Sequence, residues 1–188
     1  MILVKLLAVT FLIVIATLVV FRIIVRREYL NKSKLSPTAT FIQLLIFFLH
    51  ALSSYVLIDT KENQIIGDNL FEIIGIVFMI IGGLFVLVGM INLGIKKLFG
   101  MKAEGLQKTG FYKYSRNPQI VFYILFLTGY VLIYPSWPAL LWLGTLLFMC
   151  HIMVITEEEH LLRTFVDEYK EYCKRTPRYI GLKSFLKE

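Results

Sequence analysis

Apolar and polar positions fall in long alternating blocks along this chain. Residues 1–25 are apolar apart from Lys5 and Arg22, and Arg26, Arg27, Lys32 and Lys34 follow before Pro37. Residues 38–58 form a second apolar block that contains His50, and residues 70–93 form a third. Blocks of this length suit helices that cross a hydrocarbon core of roughly 30 Å. The first is too long for the apolar region of a signal peptide and lacks a small-x-small cleavage site, so it is expected to be a first transmembrane helix. Two shorter blocks come next, at 119–134 and 139–155. At about 1.5 Å per residue they reach only about 25 Å, so they should sit slightly sunken or draw polar flanks inward. Pro135 and Pro138 bracket Ser136 and Trp137, which predicts a tight helical hairpin with its tip there.

Beyond the hairpin the pattern becomes helical and amphipathic. Leu161, Phe165, Tyr169 and Tyr172 share one face, with Arg163, Asp167, Lys170, Glu171 and Lys174 elsewhere. This predicts a helix lying on the cytoplasmic leaflet, which leaves room for a part in closing a site. Within the third block Gly75, Gly82 and Gly89 recur every seven residues. They form a face that lets another helix approach closely, in a dimer or within the chain. They are not a nucleotide loop, because no strand precedes them.

Composition agrees with a membrane chain. The 188 residues are 57% hydrophobic and 18% charged, more apolar and less charged than a soluble domain. The net charge of +7 lies beside apolar blocks rather than on a soluble face, so it points to anchoring against anionic lipid and not to nucleic acid. Basic residues follow blocks one and three (Lys96, Lys97, Lys102, Lys108, Lys113, Arg116) and the last block, whereas the loop after block two carries Asp59, Lys61, Glu62 and Asp68. The positive-inside rule then places the N-terminus outside and the C-terminus in the cytoplasm. The expected fold is all-α integral membrane: about five transmembrane helices, the last two a short hairpin, plus a C-terminal cytoplasmic amphipathic helix. Residues 1–94 would hold three helices, and residues 95–188 the loop, hairpin and amphipathic helix, in one compact unit.

Two polar clusters interrupt this plan. One is Gly110-Phe111-Tyr112-Lys113-Tyr114-Ser115-Arg116-Asn117-Pro118; the other is Glu157-Glu158-Glu159-His160. The hairpin between them returns the chain to the side it left, so the clusters should face each other at one membrane surface. Glu157 and His160 have the i, i+3 spacing of half a di-iron site, but no second such pair exists, so no metal is expected. Cys150 and Cys173 form no disulfide framework, and no nucleophile–histidine–carboxylate set is evident. Cations, carboxylates and aromatics on one face suit a nucleoside cofactor that carries both charges. Taken singly, Arg116 reads equally as a snorkelling anchor, and the glutamates as charges at a helix start. His50 reads as an interhelical hydrogen-bonding residue, with a pocket role as the alternative, and Asn92 is a further pocket candidate.

The segment from about Gly105 to Tyr179 resembles the membrane methyltransferases typified by isoprenylcysteine carboxyl methyltransferase and phospholipid N-methyltransferases. Their pattern reads Gly-x-Tyr-x-Tyr-x-Arg-His-Pro-x-Tyr, a hairpin, then Glu-Glu-x-x-Leu-x-x-x-Phe-Gly-x-x-Tyr-x-x-Tyr. Here it is met by Gly110, Tyr112, Tyr114, Arg116, Asn117 and Pro118, then Glu157, Glu158, Leu161, Phe165, Tyr169 and Tyr172. Asn117 stands in place of histidine, Ile120 of tyrosine and Val166 of glycine. Asparagine keeps a donor and an acceptor but cannot titrate, so a binding role survives and an acid–base role does not.

The resemblance implies methyl transfer from S-adenosyl-L-methionine to a lipophilic acceptor at the cytoplasmic face. The foremost acceptor is a carboxylate of the isoprenylcysteine type or a related lipophilic acid, and the alternative is a phospholipid amine. It further implies that Gly110, Tyr112, Tyr114, Arg116, Asn117, Pro118, Glu157 and Glu158 bind the cofactor, that Arg116 and Glu158 act in catalysis, and that prenylated or lipid substrates enter laterally. The protein would be a monomer or homodimer. Two other functions compete: an NADPH-dependent reductase of the sterol-reductase type, against which the short chain argues, and a non-catalytic membrane adaptor, suggested by Asn117 and the missing glycine.

Overall fold

The computed structural model describes residues 2–57, 69–93 and 105–181, and the described residues contain helices and no strand. Helix α1 (Ile2–Leu18) runs through a π-helical stretch (Val19–Val25) straight into α2 (Arg26–Lys32), where Ser33 in the left-handed region ends it. Helix α3 covers Pro37–Leu57, α4 Asn69–Leu93, α5 Pro118–Ile133 and α6 Trp137–Arg175. A short 3-10 turn at Gly110–Lys113 precedes α5. The charged residues Asp59, Lys61, Glu62 and Asp68 of the second loop, and Lys96, Lys97 and Lys102 of the third, lie outside the described residues, as does the side chain of Asn92. Four of the described helices are long and apolar enough to cross a membrane, and α5 is apolar but shorter.

Two elements run further than the apolar pattern foretells. The first helix continues to Lys32 because Arg22 and Arg26 find a carboxylate partner, Glu159, on α6. Helix α6 continues through the glutamate cluster to Arg175, so the last membrane helix and the amphipathic helix are one rod with a break at Val166 (φ 25°, ψ −97°). The break falls where the family pattern carries glycine, the residue that tolerates positive φ without a Cβ penalty.

The hairpin turns at 134–136, and Ser136 Oγ caps α6 by accepting from Ala139 N at 3.2 Å. Helix α5 lies along α4 through the glycine face. A Cβ on Gly75 would come within 2.6 Å of Gly129 O, one on Gly82 within 2.6 Å of Phe126 N, and one on Gly89 within 3.1 Å of Gln119 Cγ. The glycine face therefore serves packing within the chain. The buried apolar core runs between α1, α3 and α6, with Phe21, Ile46, Trp142, Leu146 and Met149 nearly or fully inaccessible. The outer faces of α1, α3 and α4 expose Phe11, Phe48, Leu84 and similar residues, as a lipid-facing surface would.

His50 is fully buried and ties α3 to α6. Its Nε2 lies 3.0 Å from Trp142 O, Trp142 Nε1 donates back to His50 O at 2.9 Å, and the two rings stack at 4.5 Å. This is the interhelical role.

Candidate functional site

Pro118 at the first turn of α5 presets its helical φ, and the preceding residues, held out of helical conformation, form the loop that faces α6. Gly110 has φ of 62° with open space around its Cβ position, so the turn itself is what asks for glycine there. Ser115 Oγ accepts from Asn117 N at 3.1 Å and holds the bend on which Arg116 sits.

The hairpin brings the two polar clusters into contact. Arg116 Nη1 is 3.0 Å from Glu158 Oε1, with the two side chains only 12% and 9% exposed, so water screens the pair little. Arg116 also donates to Tyr169 OH at 3.2 Å and to Cys173 Sγ at 2.8 Å, and its guanidinium carbon lies 5.8 Å from the Tyr169 ring centroid. The Arg116–Glu158 pair is close but not aligned as a hydrogen bond: Arg116 Nε and Glu158 Oε1 are both buried without a hydrogen-bond partner. One donor and one acceptor thus remain unsatisfied at the centre of the site, which buried polar atoms seldom do.

A strap after α6 completes the arrangement. Thr176 and Pro177 turn the chain back over the loop, where Arg116 N donates to Pro177 O at 2.9 Å and Asn117 Nδ2 to Arg178 O at 3.1 Å. Arg178 grips Glu158 Oε2 through Nε at 3.0 Å and Nη2 at 2.8 Å, a charge-assisted fork that raises the Arg178 guanidinium above its ordinary range. Tyr172 OH donates to Tyr112 O at 2.7 Å. Tyr169 and Tyr172 are thereby turned onto the loop and buried, while Leu161 and Phe165 on the same face stay half-buried.

The three successive glutamates have different surroundings. Glu158 meets Arg116 and Arg178, and Glu159 meets Arg22, Arg26 and Arg163. Glu157 has no hydrogen bond or ion pair among the described residues, although Tyr29, Tyr112 and Glu158 are near enough to interact electrostatically with it.

Gly110, Tyr112, Tyr114 and Pro118 face another space. With Phe85 of α4 and Phe122 of α5 they line a cleft of about 460 Å³. Phe85 and Phe122 stack at 4.5 Å, Phe111 packs edge-on against both, and Tyr112 OH donates to Gln119 Oε1 at 2.6 Å. The structure therefore joins Arg116 to Glu158, ties Asn117 to the strap and sets the glycine, tyrosines and proline around the aromatic cleft.

Arg178, Gln119 and the thiol of Cys173 were not expected from the sequence. The available signal for Arg178 was Pro177, which ends the helix and lets the chain fold back with a cation beside it. Nothing in the spacing marks Cys173 as a neighbour of Arg116.

The donor set fits a zwitterionic nucleoside cofactor on its own terms: a buried guanidinium N–H and a buried carboxylate oxygen, both without a hydrogen bond, stand side by side. Comparison with curated proteins yields no match, and comparison with solved structures yields none either. Residues 70–168, just over half of the chain and spanning α4 through the break at Val166, match the model of the phospholipid methyltransferase family; the chain belongs to that family of membrane methyltransferases.

Proposed function

We propose that this chain transfers a methyl group from S-adenosylmethionine to a lipophilic acceptor at the cytoplasmic face of a membrane. The observation that carries the proposal is the meeting of Arg116 and Glu158 with an unsatisfied donor and acceptor between them. S-adenosylmethionine supplies a methyl already activated by its sulfonium, and attack by a nucleophile releases a neutral thioether. The protein has then to bind, orient and exclude water. Arg116 would hold the cofactor carboxylate through Nε, and Glu158 would accept from its amino or hydroxyl groups through Oε1. Tyr112, Tyr114 and Gly110 would bound the site on the side of the aromatic cleft, and Asn117 would keep the strap closed over the loop. Arg178, missed in the sequence, fixes the Glu158 carboxylate and is a positioning residue.

The aromatic cleft, open between α4 and the loop, offers an apolar chain a place beside Tyr112. Of the two acceptor classes, the phospholipid amine draws support from Glu157. A carboxylic acid is already ionised near neutral pH and needs no base, whereas an ammonium must lose a proton before it can attack. Glu157, the one glutamate of the three without a counter-cation among the described residues, would take that proton at its Oε atoms. The gathering of Arg22, Arg26, Arg116, Arg163 and Arg178 at one end of the helices supports the cytoplasmic orientation.

The test is transfer of label from methyl-labelled S-adenosylmethionine to phosphatidylethanolamine and, separately, to a prenylated cysteine. Labelled phosphatidylethanolamine supports the amine reading, and labelled prenyl-cysteine alone replaces it with the carboxylate one. Thermal stabilisation by NADPH and not by S-adenosylhomocysteine would point to the reductase, and stabilisation by neither to the adaptor. At about 100 times the dissociation constant a bound cofactor adds roughly 2.7 kcal/mol.

A further inference from the structure

One residue beyond Glu158, and about 100° around the helix, Glu159 gathers three guanidiniums. Arg26 donates to it through Nη2 at 2.7 Å and through Nε at 3.0 and 3.1 Å, Arg163 through Nη2 at 3.0 Å and Arg22 through Nη1 at 3.4 Å. Arg26 alone already engages both carboxylate oxygens. Arg22, which also donates to Thr156 Oγ1 at 3.2 Å, and Arg163 add two further cations around the same carboxylate, so the three guanidiniums outnumber the one negative charge that pairs with them. Three guanidiniums carry more N–H donors than one carboxylate can accept. Beside them opens a cleft of about 190 Å³ between α2 and α6, lined among others by Arg26, Ser33, His160, Arg163 and Thr164. Tyr29 and His160 stack within it, with ring planes 5° apart and centroids 4.2 Å apart. Its rim carries Leu30, which is exposed, and Val19 and Ile23 earlier on the same continuous helix are exposed as well.

We propose that this cleft binds the phosphate of an anionic phospholipid, with Arg26 and Arg163 on the phosphate oxygens and the acyl chains along the exposed flank of Leu30, Ile23 and Val19. Guanidinium forks match phosphate geometry, and three cations around one paired carboxylate select a lipid of net negative charge over a zwitterionic one. Exposed Leu30 at the cleft's rim, with Ile23 and Val19 further along the same helix, offers an apolar flank that a free anion would leave unused. The proposal goes beyond methyl transfer: the cleft shares neither Arg116 nor Arg178 with the Glu158 site.

The experiment is native mass spectrometry of the full chain, released from detergent in the presence of phosphatidylglycerol, of phosphatidylcholine with the same acyl chains, or of inorganic phosphate. Phosphatidylglycerol should be retained about tenfold more than phosphatidylcholine, a difference that repulsion between the choline ammonium and the arginines can supply, since the phosphate is common to both. Arg163→Gln should remove most of that preference while Glu159 keeps Arg22 and Arg26, so the protein stays folded. Arg27→Gln changes the charge equally at an exposed position outside the cleft and should leave retention unaltered. Equal retention of the two lipids overturns the proposal, and so does a loss in Arg27→Gln as large as that in Arg163→Gln. An adduct with inorganic phosphate but none with phosphatidylglycerol overturns the lipid assignment.

Discussion

The α4–α5 contact makes a prediction whose sign depends on geometry alone. Gly129→Ala adds a methyl that would press on Gly75 O and stand 2.8 Å from Met79 N, both backbone atoms that no rotamer change can move aside. Carbon contacts become favourable only near 3.5–4.0 Å, so the helices must part by about 1 Å. Overpacking of this kind costs about 1–3 kcal/mol, and the better helix propensity of alanine returns about 0.5–1 kcal/mol. The net loss is about 1–2 kcal/mol, or a fall in Tm of about 2–8 °C for a chain of this size. Gly144→Ala is the same substitution on α6, at an exposed position with nothing within 4 Å of the new Cβ. There only the propensity gain remains, so stability should rise by about 0.5–1 kcal/mol. Thermal unfolding of the detergent-purified variants, followed by tryptophan fluorescence, measures both. Shifts of the same sign, or an unchanged Tm for Gly129→Ala, would refute the close approach of α4 and α5. The double variant Gly75→Ala/Gly129→Ala should cost less than the two single losses together, because helices already parted by one methyl have room for the second.

Other substitutions separate binding from folding. Glu158→Ala should weaken S-adenosylhomocysteine binding by about tenfold or more, the loss of one or two charge-assisted hydrogen bonds, and the protein should still insert and purify; unchanged affinity in calorimetry removes Glu158 from the site. His50→Ala should lower stability by about 2–4 kcal/mol through cavity and lost hydrogen bond, with methyl transfer below the melting temperature intact; an activity loss without a Tm change would give His50 a pocket role after all. Val166→Gly should raise stability by about 1 kcal/mol, since relief of a positive φ at a β-branched residue, about 1–3 kcal/mol, outweighs the entropy of glycine; a lower Tm would mean that the break at Val166 is not a strained position.

The apolar blocks were legible because a helix in lipid must carry a long uninterrupted apolar run, and Pro135 with Pro138 marked the turn for the reason that neither residue continues a helix. The meeting of Arg116 with Glu158 followed from that turn. The length of α6 was hidden: Glu157 to Lys174 changes from apolar to amphipathic, which looks like a new element, but a change of solvent does not end a helix. Arg26 looked like the start of a loop because its countercharge, Glu159, lies far away in sequence. The glycine face predicted a close neighbour but not which one, since Gly129 on α5 offers only a single small residue as its signature. The family match likewise takes in α4, which the motif beginning near Gly105 does not reach.

Glu157, Glu158 and Glu159 are chemically identical, and only rotational phase along α6 gives each a separate assignment. Deleting one residue between Ile152 and Thr156 would turn the whole trio by one step about the axis. Arg116 and Arg178 would then be offered the carboxylate that now belongs to the α1–α2 arginines. This stretch can therefore accept changes of side chain more readily than changes of length, the reverse of what holds in a connecting loop.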